Sequence, residues 1–117
     1  MKPDLNQFLP LSPAVLHILL ALSGEDRHGY AIMQEIARQT EGRYKLGPGT
    51  LYDNLEKLLD AGFVLEARRP THDDDPRRRY YQLSGAGRTL LATEIERLEA
   101  LVHEAQGNLG LKPRRAT

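Results

Sequence analysis

The stretch "GPGTLYDNLEKLLDAGFV", residues 47–64, contains a helix start, an apolar stripe, a helix stop and a strand start. Gly47 stands at the capping position with Pro48 behind it, where a missing N–H costs the helix nothing. Leu51, Leu55, Leu58 and Leu59 recur at helical spacing and predict a buried stripe, and Gly62 supplies the stop. If the leucines point inward, Thr50, Asp53, Asn54 and Lys57 are carried outward together. That outer face is either solvated surface or a surface that reads a ligand.

Working outward, Ser12-Pro13 opens an earlier helix, and apolar residues from Ala14 to Leu22 surround it almost completely up to Gly24. After the polar turn "GEDRHG", Tyr30, Ile32, Met33, Ile36 and Ala37 predict a second helix that stops at Gly42. Here the spacing favours core packing for Tyr30 over a phosphate contact, and His28 reads as part of the helix-start turn. "FVLEARR" and "RRYYQL" predict a two-stranded hairpin around "PTHDDDP", with Tyr81 and Leu83 on its inner face. Ser84 caps a last helix in which Leu91, Ile95, Leu98, Val102, Ala105 and Leu109 alternate at four and three, the spacing of a helix-to-helix seam. Gly107, Gly110 and "KPRRAT" predict a weak end and a disordered tail over 110–117.

The chain has 117 residues, enough for one modest core. Sixteen Lys and Arg balance sixteen Asp and Glu, which is not the basic excess common in small nucleic-acid binders. The charge is segregated, however: Arg68, Arg69, Arg77, Arg78 and Arg79 surround the hairpin tip, while Glu94, Glu96, Glu99 and Glu104 crowd the last helix. There is no cysteine, so disulfides and thiolate metal sites are excluded. The leader "MKPDLNQFLP" lacks the pattern of a signal peptide, and the longest apolar run is too short to span a bilayer, so a cytoplasmic protein with no membrane partner is expected. His17, His28, His72 and His103 have no metal-ligand spacing, "DDDP" lacks the glycine and distant Glu of a calcium loop, and no serine sits in a nucleophile elbow. No catalytic residue, metal or cofactor is expected.

Three helices followed by a hairpin is the element order of a winged helix-turn-helix, whose third helix enters the major groove while the hairpin touches the flanking backbone. The fold class expected is therefore mainly α with a small β-hairpin. Residues 1–83 form the DNA-binding region and 84–109 a C-terminal dimerisation helix. Thr50, in the first turn, suits a phosphate; Asn54 can pair with adenine; Lys57 reaches guanine or backbone, and Asp53 is left even between cytosine and the helix dipole. Pro48 and Gly49 at the same helix start join this set. Arg77 and Arg79 share a strand face suited to phosphate contact, with Arg78 directed elsewhere.

"LLALSGEDRHGYAIMQEI", "GPGTLYDNLEKLLDAGFV" and "RRRYYQLSGAGRTLL" keep the order and spacing of the PadR-like transcriptional regulators, which the chain resembles from about Leu19 to Leu91. The resemblance implies a homodimeric winged-helix repressor on a double-stranded, pseudo-palindromic operator, with a small phenolic or drug-like effector among the expected partners. It also sets Tyr52 on the DNA side, against a reading of partial core packing. The dimer seam would run through Leu91, Ile95, Leu98 and Val102. Two departures stand out: Gly47 replaces a common Ser, and Asp73, Asp74 and Asp75 put acid at the wing tip, which repels phosphate unless it points away or pairs with the arginines. Near-zero net charge and that acidic tip keep a second class open, a winged-helix module that binds protein instead of DNA.

Overall fold

A computed structural model describes residues 5–112. After a 3-10 turn at Leu5–Phe8 come α1 (Pro13–Gly24), β1 (Arg27–His28), α2 (Gly29–Gln39), α3 (Pro48–Ala61), β2 (Val64–Ala67), β3 (Tyr80–Leu83) and α4 (Gly85–Leu109). The starts follow the caps: Ser12 Oγ accepts from Val15 N at 3.2 Å, and Ser84 Oγ accepts from Gly87 N at 3.0 Å. Gly62 ends α3 in the left-handed conformation with φ 80°, and Phe63 N returns to Leu58 O at 3.0 Å, so the chain turns directly into β2.

The core gathers one face from each element: Ile18, Leu19 and Leu22 of α1, Ile32 and Ile36 of α2, Leu51, Leu55 and Leu58 of α3, and Leu90 and Leu91 of α4. Phe63, Val64, Tyr81 and Leu83 close it from the sheet. α1 packs against α2, α3, α4 and β3, as its nearly all-round apolar sequence requires.

Four expectations need correction. The hairpin is a three-stranded antiparallel sheet in the order β1-β3-β2, because Arg27 and His28 pair with Tyr81 and Tyr80. A two-residue polar strand carries no hydrophobic period, so the turn "GEDRHG" concealed it; Arg27 Nε is also tied to Ala21 O at 2.8 Å. The second helix ends at Gln39 rather than Gly42, since Thr40 Oγ1 bonds Ile36 O and Tyr44 N and folds the chain away. β3 buries Tyr80 as well as Tyr81 and Leu83, so both of its faces are covered. Finally, Leu91 is 7% exposed and belongs to this core, so it is not free for a seam.

The root of α4 is fixed by contact as well as by its cap. A Cβ on Gly87 would lie 2.1 Å from Phe63 O, closer than any real Cβ contact, so glycine alone admits the helix to this distance. Beyond Leu109, Gly110 caps the helix with φ 67°; residues 113–117 of the expected tail lie outside the described residues. Among the described residues no helix is long and apolar enough to cross a membrane.

Gly87→Ala is expected to destabilise the fold by roughly 1–3 kcal/mol through overpacking. Gly85→Ala, two residues earlier with open space around it, should be neutral or stabilising. Denaturant unfolding of both variants checks this; equal midpoints would mean that the α4 root is not held by the close approach.

Candidate nucleic-acid interface

The two flanks of α3 have different surroundings. Tyr52 leaves the leucine stripe toward the wing, where it lines a hollow of about 250 Å³ with Gly29, Tyr30, Arg77, Arg78, Arg79 and Tyr81. Its phenol end fits against Gly29: a Cβ there would stand 2.3 Å from the Tyr52 hydroxyl. Tyr30 is 62% exposed, which corrects the core reading; Ile32 and Ile36 take the inward positions of α2, and Tyr30 is turned out beside Tyr52.

Asn54 and Lys57 stand on the opposite flank. They line a separate apolar hollow with Phe8, Leu11, Val15, Leu58, Phe63 and Leu90. Asn54 is half-buried, and its Nδ2 donates to Thr50 O at 2.8 Å. Pro48, Gly49, Thr50, Asp53, Glu56 and Lys57 are exposed. The expected outward group of Thr50, Asp53, Asn54 and Lys57 is thus a ridge along one side of the helix, and Tyr52 meets the wing arginines on the other.

The wing resolves its own acidic tip. Asp73 is 7% exposed and accepts from the Tyr80 hydroxyl, from Asp75 N at 3.0 Å and from Arg78 Nη1 at 3.3 Å, while Arg69 Nη1 holds Asp73 O at 2.8 Å. Asp75 pairs with Arg77 at 3.2 Å. The Tyr80 hydrogen bond, with the Asp75 amide and Arg78 behind it, pulls the Asp73 carboxyl down to about 2, so it is ionised at any physiological pH. Arg79 pairs with Glu66 across the sheet at 3.0 Å and lies 5.8 Å from the centre of the Tyr81 ring. Exposed pairs such as these are worth little, so the arginine heads stay available to a stronger anion. Of the three tip acids, only Asp74 is exposed.

α4 leaves the body after its root. Ile95 is packed partly against the core and Leu98 is half-buried, but Leu101 and Val102 are each 55% exposed and Leu109 is 70% exposed. The outer part of α4 thus carries an exposed apolar run.

The chain matches the family described as "Transcriptional regulator PadR-like family" over residues 15–93. It belongs to that family. It is 35% identical over 92 residues to the transcriptional regulator Rv3488 of Mycobacterium tuberculosis (strain ATCC 25618 / H37Rv), covering 79% of this chain and 81% of the relative. A PadR family transcription regulator from Clostridium difficile R20291 is similar at 25% identity with a TM-score of 0.61, covering 84% of this chain and 98% of that one. A transcriptional regulator from Clostridium thermocellum shares the fold at 21% identity with a TM-score of 0.66, over 88% and 94% of the two chains. This PadR-like chain is therefore a winged-helix, DNA-binding transcriptional regulator.

His28 links the start of α2 to β3 of the sheet. It caps α2, its Nδ1 accepting from Ala31 N at 3.3 Å, and it meets the Tyr80 ring edge-on at 5.3 Å. Burial, reinforced by Arg78 and opposed by Asp73, holds its pKa below the ordinary 6.5. The fold therefore favours neutral His28: its contribution to stability is complete above pH 6.5 and is lost as pH falls through the lower folded value. The unfolding midpoint should drop between pH 7 and 5, and His28→Asn, which keeps a capping oxygen, should remove that drop. An unchanged drop in the variant would assign it to another group.

Proposed function

We propose that this chain is a homodimeric, non-enzymatic repressor that works in the cytoplasm on a pseudo-palindromic operator. Residues 1–83 bind DNA and 84–109 dimerise. The observation that carries the reading is the convergence of Tyr52 with Arg77 and Arg79 beside the exposed start of α3. A groove-bound α3, opened by Pro48, presents the free amides of Gly49 and Thr50 to phosphate. The arginines, Arg77 being 89% exposed, then exchange carboxylates for flanking phosphates. Asn54 reads a base once its amide leaves Thr50 O, giving up one intrahelical bond for a bidentate pair with adenine. Lys57, exposed on the same ridge, takes a neighbouring base or phosphate.

Ile95, Leu98 and Val102 form the seam with a second copy, and Leu91 anchors the helix root from inside. Two-fold pairing along this seam sets two α3 helices about 34–36 Å apart, one DNA turn. A small aromatic effector is supported by the apolar hollow behind α3. At about 200 Å³ it exceeds the roughly 150 Å³ that suffices for benzene, and Lys57 at its mouth suits an acid group.

Binding to a selected operator should weaken steeply between about 50 and 200 mM salt, and Arg79→Ala should weaken all duplexes alike. A flat salt response would favour a protein-binding module, the reading that exposed Asp53, Glu56 and Asp60 support. In the same assay single-ring aromatic acids should release the operator; release by none of them removes the effector from this reading.

Val102→Asp, on a side chain outside the core, should leave the fold intact and yield a monomer that has lost operator binding. Sedimentation and gel shift check the two halves of this expectation, and a dimeric, binding variant would place the interface elsewhere.

A further inference from the structure

Glu94 is 1% exposed, although it lies on α4 between the exposed Ala92 and Glu96. Oε2 accepts from Leu11 N at 2.8 Å, across 83 residues of sequence, and Oε1 accepts from Arg97 Nε. Leu11 immediately precedes the Ser12 cap of α1. Three residues before it, Phe8 meets the Phe63 ring edge-on at 5.0 Å. The carboxylate therefore bonds the last buried turn of α4 to the lead-in of α1, the helix at the centre of the core.

Apolar contacts at Leu90 and Leu91 hold α4 against the body but tolerate small rolls and tilts. A hydrogen bond to a backbone N–H is directional and does not. A buried carboxylate is also a poor choice for stability alone, because a hydrophobe of similar volume is often neutral or stabilising in such a position. What it adds is geometry at the point where α4 leaves the domain. From Glu94 to Leu109 the helix projects by about 22 Å. A tilt of about 10° at the root would move its far end by about 4 Å, close to the 3.4 Å of one base-pair step.

We propose that Glu94 is a positioning residue that fixes the angle of α4 through Leu11 and thereby sets the half-site spacing the dimer accepts. The inference rests on the homodimer reading above. Arg97 keeps the carboxylate ionised and below its ordinary range, so the strut persists across physiological pH.

The chain has no cysteine, so Asp60→Cys at the exposed end of α3 gives one spin label per protomer and one distance between the two recognition helices. With Glu94 present, that distance should be narrowly distributed. Glu94→Met should broaden or shift it by about 4 Å, the lever displacement above, while the variant remains folded and dimeric. Glu94→Gln, which retains an acceptor for Leu11 N, should stay near the unsubstituted protein. On operators lengthened or shortened by one base pair, the unsubstituted dimer should discriminate by roughly tenfold, the scale of one mismatched pair, and Glu94→Met should lose most of this discrimination. Affinity for random DNA should not change.

An unchanged distance and unchanged spacing preference in folded, dimeric Glu94→Met overturn the proposal. Should that variant fail to fold, the same result in Leu11→Pro, which removes the donor and leaves Glu94 in place, overturns it. Absence of any distance between protomers in the unsubstituted protein would overturn the dimer reading itself, and this inference with it.

Discussion

Ser84 ties three elements together, and the relative placement of the rest depends on it. Its hydroxyl donates to Gly62 O at 2.6 Å and accepts from Gly87 N, while its own N–H donates to Phe63 O at 3.1 Å. The end of α3, the edge of the sheet and the start of α4 are thereby referred to one residue that is 8% exposed. Because these are directional bonds inside a shielded site, each outranks a surface contact in fixing orientation. The end of α3, the wing and the root of α4 can be treated as one rigid unit for this reason, and a change in one is felt by the other two.

Charge is organised by the same logic of local closure. The net charge of zero describes no region of the molecule well. At the wing Asp73 and Asp75 lie inside the loop and brace Arg78 and Arg77, so carboxylates that looked hostile to a phosphate serve as a scaffold for the groups that would meet it. The Tyr80 hydroxyl, buried between β3 and the loop, completes this brace.

Legibility in the sequence followed the physics of each element. α1 and α3 announced themselves because Ser12-Pro13, Pro48 and Gly62 are local signals and the leucine spacing is periodic. The wing strands were visible for similar reasons, and the arginine run made the candidate face conspicuous. β1 was not legible, since a two-residue strand is defined by its partner β3 and by nothing in its own sequence. Tyr30 was misread because helical spacing shows a face without saying which neighbour covers it. Leu91 was placed in the seam and the burial of Glu94 was missed for one reason: the heptad pattern shows a spacing but not where the helix leaves the body, and the first three turns of α4 are packed on it. Asp73 was hidden because burial of a loop carboxylate depends on a tyrosine seven residues away.

The contact between Gly29 and Tyr52 has a consequence for how such a protein can change its target. The Tyr52 phenol packs on Gly29 in space that any side chain at position 29 would need. A single added methyl there would displace the phenol end of Tyr52 in its hollow beside Arg77, Arg78 and Arg79 without altering any residue on the α3 ridge. Under the proposed reading, Thr50, Asn54 and Lys57 can vary singly, each at the cost of its own contact, whereas a change at position 29 acts through Tyr52 on the wing side of α3. Base preference and the fit between α3 and the wing are then set at separate places and can change separately.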